Sequence, residues 1–84
     1  MSHARRVDQN QRVIVKALER LGWTVSDTSR AGSGFPDLVC SRGGITRLVE
    51  VKAPKGKLTP AQVTFRERHP VVIVRSVDDA IALS

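Results

Sequence analysis

Two short apolar runs, Asp37-Leu38-Val39-Cys40 and Leu48-Val49-Glu50-Val51, flank the segment Ser41-Arg42-Gly43-Gly44-Ile45. A Gly-Gly dipeptide between such runs predicts a tight hairpin, because its turn needs positive φ at both central residues. With Gly43 and Gly44 as the two loop residues, Arg42 faces Ile45, Ser41 faces Thr46, Cys40 faces Arg47, Val39 faces Leu48 and Leu38 faces Val49. The next pair is Asp37 opposite Glu50. Directly opposed residues share one face of a sheet, with Cβ atoms roughly 4.5–5.5 Å apart. Lys52 lies two residues past Glu50 and shares that face, while Val51 points the other way into the core. A longer loop would shift this pairing.

Two opposed carboxylates repel, so the demands of a sheet alone would not select them. A divalent cation between them removes the conflict. Mg²⁺ prefers hard oxygen ligands and keeps several waters. One such water can be activated to attack phosphorus while the metal neutralises charge on the phosphate. An ammonium beside the site can stabilise the developing charge and help orient or deprotonate that water. The alternative is an exposed Glu50–Lys52 pair on an edge strand, with Asp37 a turn residue. The apolar neighbours on both runs favour central strands instead.

The elements that must position this set can be read in order. Val13, Ile14, Ala17, Leu18 and Leu21 make one apolar stripe on a helix from about Asp8 to Leu21, which Gly22 ends. Trp23 to Asp27 alternates as a strand. Thr28 to Pro36 is a glycine-rich loop, and Ala53 to Leu58 is a basic loop after the hairpin. Thr59 caps a second helix with Pro60 at its first position, running to about Arg68, where His69-Pro70 stops it. Val71 to Val74 is a buried-strand candidate. Ser76 caps a last helix from Val77 to about Leu83. The order helix, three strands, helix, strand, helix predicts a mixed sheet flanked by helices, a compact α/β sandwich covered on both faces. The 84 residues make one domain, with residues 1–7 expected as a flexible arm.

Composition narrows the partner. Fourteen Lys and Arg against 8 Asp and Glu give a formal net charge of +6 and a sequence pI near 10.8. Such a balance in a small domain points to a polyanion, nucleic acid before an acidic membrane surface. The longest apolar run, Val71-Val72-Ile73-Val74, is far too short to span a bilayer. Arg5 and Arg6 lead into Asp8-Gln9-Asn10-Gln11 rather than into an apolar signal region. A single cysteine, Cys40, excludes an internal disulfide and a cysteine-only zinc site, and a reducing, cytoplasmic compartment is the expectation.

Pro36-Asp37 followed by Glu50-Val51-Lys52 resembles the PD-(D/E)XK nuclease signature. The wider series is Asp8-Gln9-Asn10-Gln11, Gly34-Phe35-Pro36-Asp37-Leu38-Val39, Leu48-Val49-Glu50-Val51-Lys52, Leu58-Thr59-Pro60-Ala61-Gln62 and Val74-Arg75-Ser76-Val77-Asp78-Asp79-Ala80. It resembles a stand-alone VRR-NUC domain of the kind found as small phage proteins, over nearly the whole chain from Asp8 to Leu83. The resemblance implies a restriction-endonuclease-like core acting in a bacterial host. It implies Mg²⁺ or Mn²⁺ held by Asp37, Glu50 and the main-chain carbonyl of Val51, with Lys52 at the attacking water and Gln62 near the site. It also implies cleavage of branched DNA, Holliday junctions above all, by a homodimer. Many nucleases of this fold carry a glutamate on the inward face of the first helix. Here the residues available there are Asp8, Asn10 and Gln11.

Gln62 has a second reading, since Thr59-Pro60-Ala61-Gln62 is a capping box. Asp8 reads as a helix cap. Lys55 and Lys57, flanking Gly56 just after the site, and Arg30, near Gly32 and Gly34, are candidate phosphate contacts. Arg5, Arg6 and Arg12 can be a solvated basic arm. Cys40, Trp23 and His69 read as structural, Trp23 in the core or a subunit interface. Three functions compete: a structure-selective endonuclease (or a nicking, flap or fork nuclease without junction preference), a nuclease-fold module that only binds DNA, and a restriction-type enzyme that reads sequence. A pure binder has no need of the full Asp37, Glu50, Lys52 set. A sequence reader needs an added element for base-edge contacts, for which 84 residues leave little room.

Overall fold

A computed structural model describes residues 2–84, with side chains from Gln9 onward. Helix α1 spans Ser2–Arg20. It starts six residues before the expected Asp8, because no glycine or proline interrupts the chain before Gly22 and nothing stops the helix from extending upstream. Asp8 is therefore not the helix cap; its side chain, like those of the expected arm, lies outside the described residues. Gly22 closes α1 as expected. Its φ is +93°, its N–H donates to Glu19 O, and Trp23 N–H donates back to Leu18 O at 3.0 Å. That last bond withholds Trp23 from the sheet, so strand β1 spans Thr24–Asp27 rather than starting at Trp23.

Strands β2 (Leu38–Arg42) and β3 (Ile45–Val51) form the hairpin. Gly43 and Gly44 have φ of +58° and +79°, the two positive values the turn demands. The register is Leu38↔Val49, Val39↔Leu48, Cys40↔Arg47, Ser41↔Thr46 and Arg42↔Ile45, as the two-residue loop requires. Helix α2 (Pro60–Arg68) has the expected capping box at Thr59, and crosses over to strand β4 (Val71–Val74), which pairs parallel with β3. Helix α3 spans Val77–Ile81, capped by Ser76, and ends two residues short of the expected Leu83. The result is a four-stranded mixed sheet in the order β1-β2-β3-β4, flanked by helices.

The two faces of the sheet differ. On one, Leu38, Cys40, Val49, Val51 and Val74 pack against Ile14 and Leu18 of α1 and against Ala80 and Leu83, all buried. Each fully buried aliphatic side chain there stabilises the fold by about 1.5–3 kcal/mol. On the other face Val39, Leu48, Val71 and Ile73 are only half-buried, and α2, which lies over it, buries none of its own residues. The expected two-sided cover is thus thin on the α2 side. Trp23 is in the core, 4% exposed, with the Arg42 guanidinium 4.3 Å over its ring. Burial pushes the Cys40 thiol up to about 11, which keeps it protonated and unreactive.

Candidate active site

The residue before β2 and the last residues of β3 meet at one end of the sheet. Asp37 Oδ2 accepts the Val51 N–H at 2.9 Å. This bond continues the β2–β3 ladder by one rung past Leu38, with a carboxylate in place of a carbonyl. A strand residue sends its N–H and C=O to the same side. The Val51 carbonyl therefore faces the Asp37 side, where β2 has not yet begun.

Glu50 is 3% exposed. Its Oε2 accepts from Gln62 Nε2 at 3.0 Å. The same Gln62 uses Oε1 to accept the Thr59 N–H at 2.9 Å, while its own N–H donates to Thr59 Oγ1. One side chain thus closes the capping box and holds the carboxylate, so the two readings of Gln62 coexist. Burial is the largest cause of a Glu50 pKa pushed up to about 8. A hydrogen bond with Asp37 and the charge of Asp37 push the same way, and the Lys52 ammonium opposes them.

Lys52 is half-buried, and its backbone is pinned from two sides. Its N–H donates to Val74 O at 3.1 Å, and its carbonyl accepts from Asn10 Nδ2 at 3.2 Å. Asn10 thus reaches the site from α1 but spends its amide N–H on the backbone just past β3. Gln11 donates to Asp27 Oδ2 at 3.2 Å, on edge strand β1 where Asp27 pairs with Leu38. Arg30 is exposed beside Asp27, whose carboxyl is held below the usual range chiefly by the hydroxyl and N–H of Ser29. Among the described residues no group of three or more His, Cys, Asp and Glu comes together. Asp37 and Glu50 are the two acids that meet there, and Asp27 is turned to Ser29 and Gln11.

Lys55 and Lys57 stand exposed on the loop that follows. Arg75, which follows β4, fixes that loop: its Nη1 donates to the carbonyls of Ala53 at 2.9 Å and Gly56 at 2.6 Å. Asp79 accepts the Arg75 N–H at 2.8 Å. Gly34 seats the glycine-rich loop against the start of α2. Its φ is +78°, and a Cβ there would overlap the Ala61 carbonyl oxygen. Beside it the ring of Phe35 meets Phe65 edge-on at 5.2 Å, and Phe65 meets His69 at 4.6 Å. Sequence reasoning missed both Arg75 and this aromatic group, and took His69 as structural. A signal was present: the chain has only two phenylalanines, and each lies within three residues of Asp37 or Gln62.

No helix among the described residues is long and apolar enough to cross a membrane. No curated protein matches the chain. The family model described as VRR-NUC domain matches residues 4–68. A solved structure described as a VRR_NUC domain is similar with a TM-score of 0.76 at 30% identity, over 92% of this chain and 91% of that one. The chain therefore belongs to the VRR-NUC domain family, a family of nuclease domains.

Proposed function

We propose that the protein is a Mg²⁺- or Mn²⁺-dependent endodeoxyribonuclease that cuts branched DNA, acting on Holliday junctions as a homodimer. The observation that carries this reading is buried Glu50 beside half-buried Asp37, with Lys52 and Gln62 at the same end of the sheet. A second carboxylate beside the desolvated Glu50 is costly unless a cation joins them. In its absence Glu50 keeps a proton up to about pH 8. Two carboxylates and a strand carbonyl form an oxygen-only set that suits a hard divalent cation. Asp37, Glu50 and the Val51 carbonyl would hold it. Bound there, the metal would polarise a phosphate oxygen and acidify a water.

The protein's own groups do the rest. The Val51 N–H fixes Asp37, and Gln62 fixes Glu50, so neither carboxylate must be ordered when DNA arrives. The Lys52 ammonium, on the Glu50 side, orients the attacking water and offsets charge growing on the phosphate. Lys55, Lys57 and Arg30 contact flanking phosphates, which positions DNA without reading its sequence. A net charge of +6 supports binding by shape and charge, and selection of branched over linear DNA follows from tracking more than one arm.

One chain carries one such site and cuts one strand. Paired cuts across a four-way junction need two sites related by a two-fold axis, which a homodimer supplies. Val13 and Ile81, more than half exposed on the adjoining helices α1 and α3, are apolar surface a second copy would cover. The test is a panel of four-way junctions, forks, flaps and linear duplexes, with and without Mg²⁺, using the parent, Glu50→Gln and Lys52→Ala. Paired cuts on junctions by a dimeric parent, and none by either variant at near-parent affinity, are expected. Near-normal turnover in either variant refutes the assigned site. Nicks scattered over linear duplex, or an active monomer, replace the resolvase with a nicking, flap or fork nuclease. Metal-independent binding without any cutting leaves only a DNA-binding module.

A further inference from the structure

In a chain of 84 residues, phenylalanine is expected in the core, yet neither Phe35 nor Phe65 belongs to it. Both are half-exposed and, with exposed His69, line a cleft of about 630 Å³ between the glycine-rich loop and α2. Arg68 contributes a cation to the same cleft, and Ser33 and Thr64 contribute hydroxyls. The cleft adjoins the catalytic set through the chain itself. Phe35 lies two residues before Asp37, and Phe65 lies one helical turn after Gln62, on the same face of α2. Gly34 locks the two walls together against Ala61 and Gln62.

We propose that this cleft binds an unpaired nucleobase of the DNA strand that enters the active site. The inference rests on the nuclease reading above and extends it to the substrate's local structure. Aromatic rings accept any base by stacking, because every base has a π-face, while a nearby arginine meets the backbone. The cleft's size falls in the roughly 300–1,000 Å³ range of small-ligand sites. Withdrawing a base from a stack costs least where it is already unpaired or its stacking is interrupted. The enzyme therefore favours cuts next to a branch point or a single-stranded tail over cuts within continuous duplex.

The experiment reads binding of the full chain in EDTA, where hydrolysis is absent. Three probes are compared by fluorescence anisotropy: a duplex with a short thymine tail, the same duplex with an abasic tail, and a blunt duplex. The parent binds the thymine tail about tenfold tighter than the abasic one, the loss expected when one base–aromatic stack is removed. Phe65→Leu, which keeps apolar bulk, abolishes that ratio, and Phe65→Tyr retains it. A 2-aminopurine in the tail is quenched by the parent and not by Phe65→Leu. Equal parent affinity for thymine and abasic tails overturns the proposal without any variant having to fold. Retention of the ratio by Phe65→Leu overturns it equally. Discrimination of the tails with no cutting in the Mg²⁺ substrate panel refutes the nuclease reading alone, and cutting in that panel without discrimination here refutes the cleft alone.

Discussion

Replacing Glu50 by glutamine should stabilise the metal-free protein, and by an amount that depends on pH. In the fold the Glu50 carboxyl titrates at about 8, because it is buried and faces Asp37; the ordinary value is 4.5. The folded state therefore holds a proton that the unfolded chain releases earlier. Stability supplied by that proton is fully present below about pH 4.5 and is lost as pH rises through about 8. At about 1.4 kcal/mol for each pH unit between the two values, the ceiling is on the order of 5 kcal/mol. Local opening at the half-exposed end of the sheet relieves part of this, so about 1–3 kcal/mol is expected. Glutamine is neutral throughout and can still accept the Gln62 hydrogen bond through its own oxygen. In EDTA, urea midpoints of parent and Glu50→Gln should nearly coincide at pH 5 and separate by pH 8.5, the variant being the more stable. Mg²⁺ at pH 8.5 should then raise the parent's midpoint more than the variant's, since only the parent keeps the full carboxylate pair. A gap that is the same at pH 5 and pH 8.5 would refute the claim that Glu50 is a desolvated carboxyl in this fold.

Two further substitutions separate positioning from packing. Gln62→Glu keeps an N3 acceptor for the Thr59 N–H but loses the Nε2 donor and sets a charge beside Glu50; cleavage should fall at least tenfold while helix content by circular dichroism is kept, whereas Gln62→Ala should also cost stability, about 0.5–2 kcal/mol for a broken cap. Arg75→Ala removes the guanidinium bonds to Ala53 and Gly56; amide exchange over residues 53–57 should quicken, and DNA affinity should drop severalfold with little change in the rate of the chemical step at saturating DNA.

The hairpin was legible because its register depends on a single local feature. Two adjacent glycines fix the turn, and the turn fixes the pairing from Arg42↔Ile45 to Leu38↔Val49, which leaves Asp37 just before β2 and Glu50 just past the last pair before any tertiary contact is known. The α2 cap was legible for the same reason: Thr59, Pro60 and Gln62 settle it within four residues. Where α1 begins was not, since its only nearby signal, Asp8, reads equally well as a cap and as an interior residue. The thin cover on the α2 side was also hidden. Val39, Leu48, Val71 and Ile73 look like core in sequence, and nothing local reveals that the helix above them would bury none of its own side chains.

The parts that sequence hid share a property: each joins residues far apart in the chain by a bond to backbone or by a shared void. Arg75 grips carbonyls about twenty positions upstream, and a carbonyl has no residue type to be recognised by. Asn10 reaches across 42 positions to the carbonyl of Lys52 in the same way. These contacts explain how so small a fold, with one well-packed face, can hold this end of the sheet steady. β3 ends on Glu50 and Val51 with Lys52 just after it, and each is tied at a separate point: Glu50 to α2 through Gln62, Val51 to Asp37, and Lys52 to both β4 and α1. Four different elements or junctions thus bear on three consecutive residues. The thin α2 side supplies only the first of these ties. A lost Gln62 Nε2 bond should therefore free the Glu50 carboxylate while leaving the Lys52 backbone in place, an effect separate from the cap that the same side chain closes.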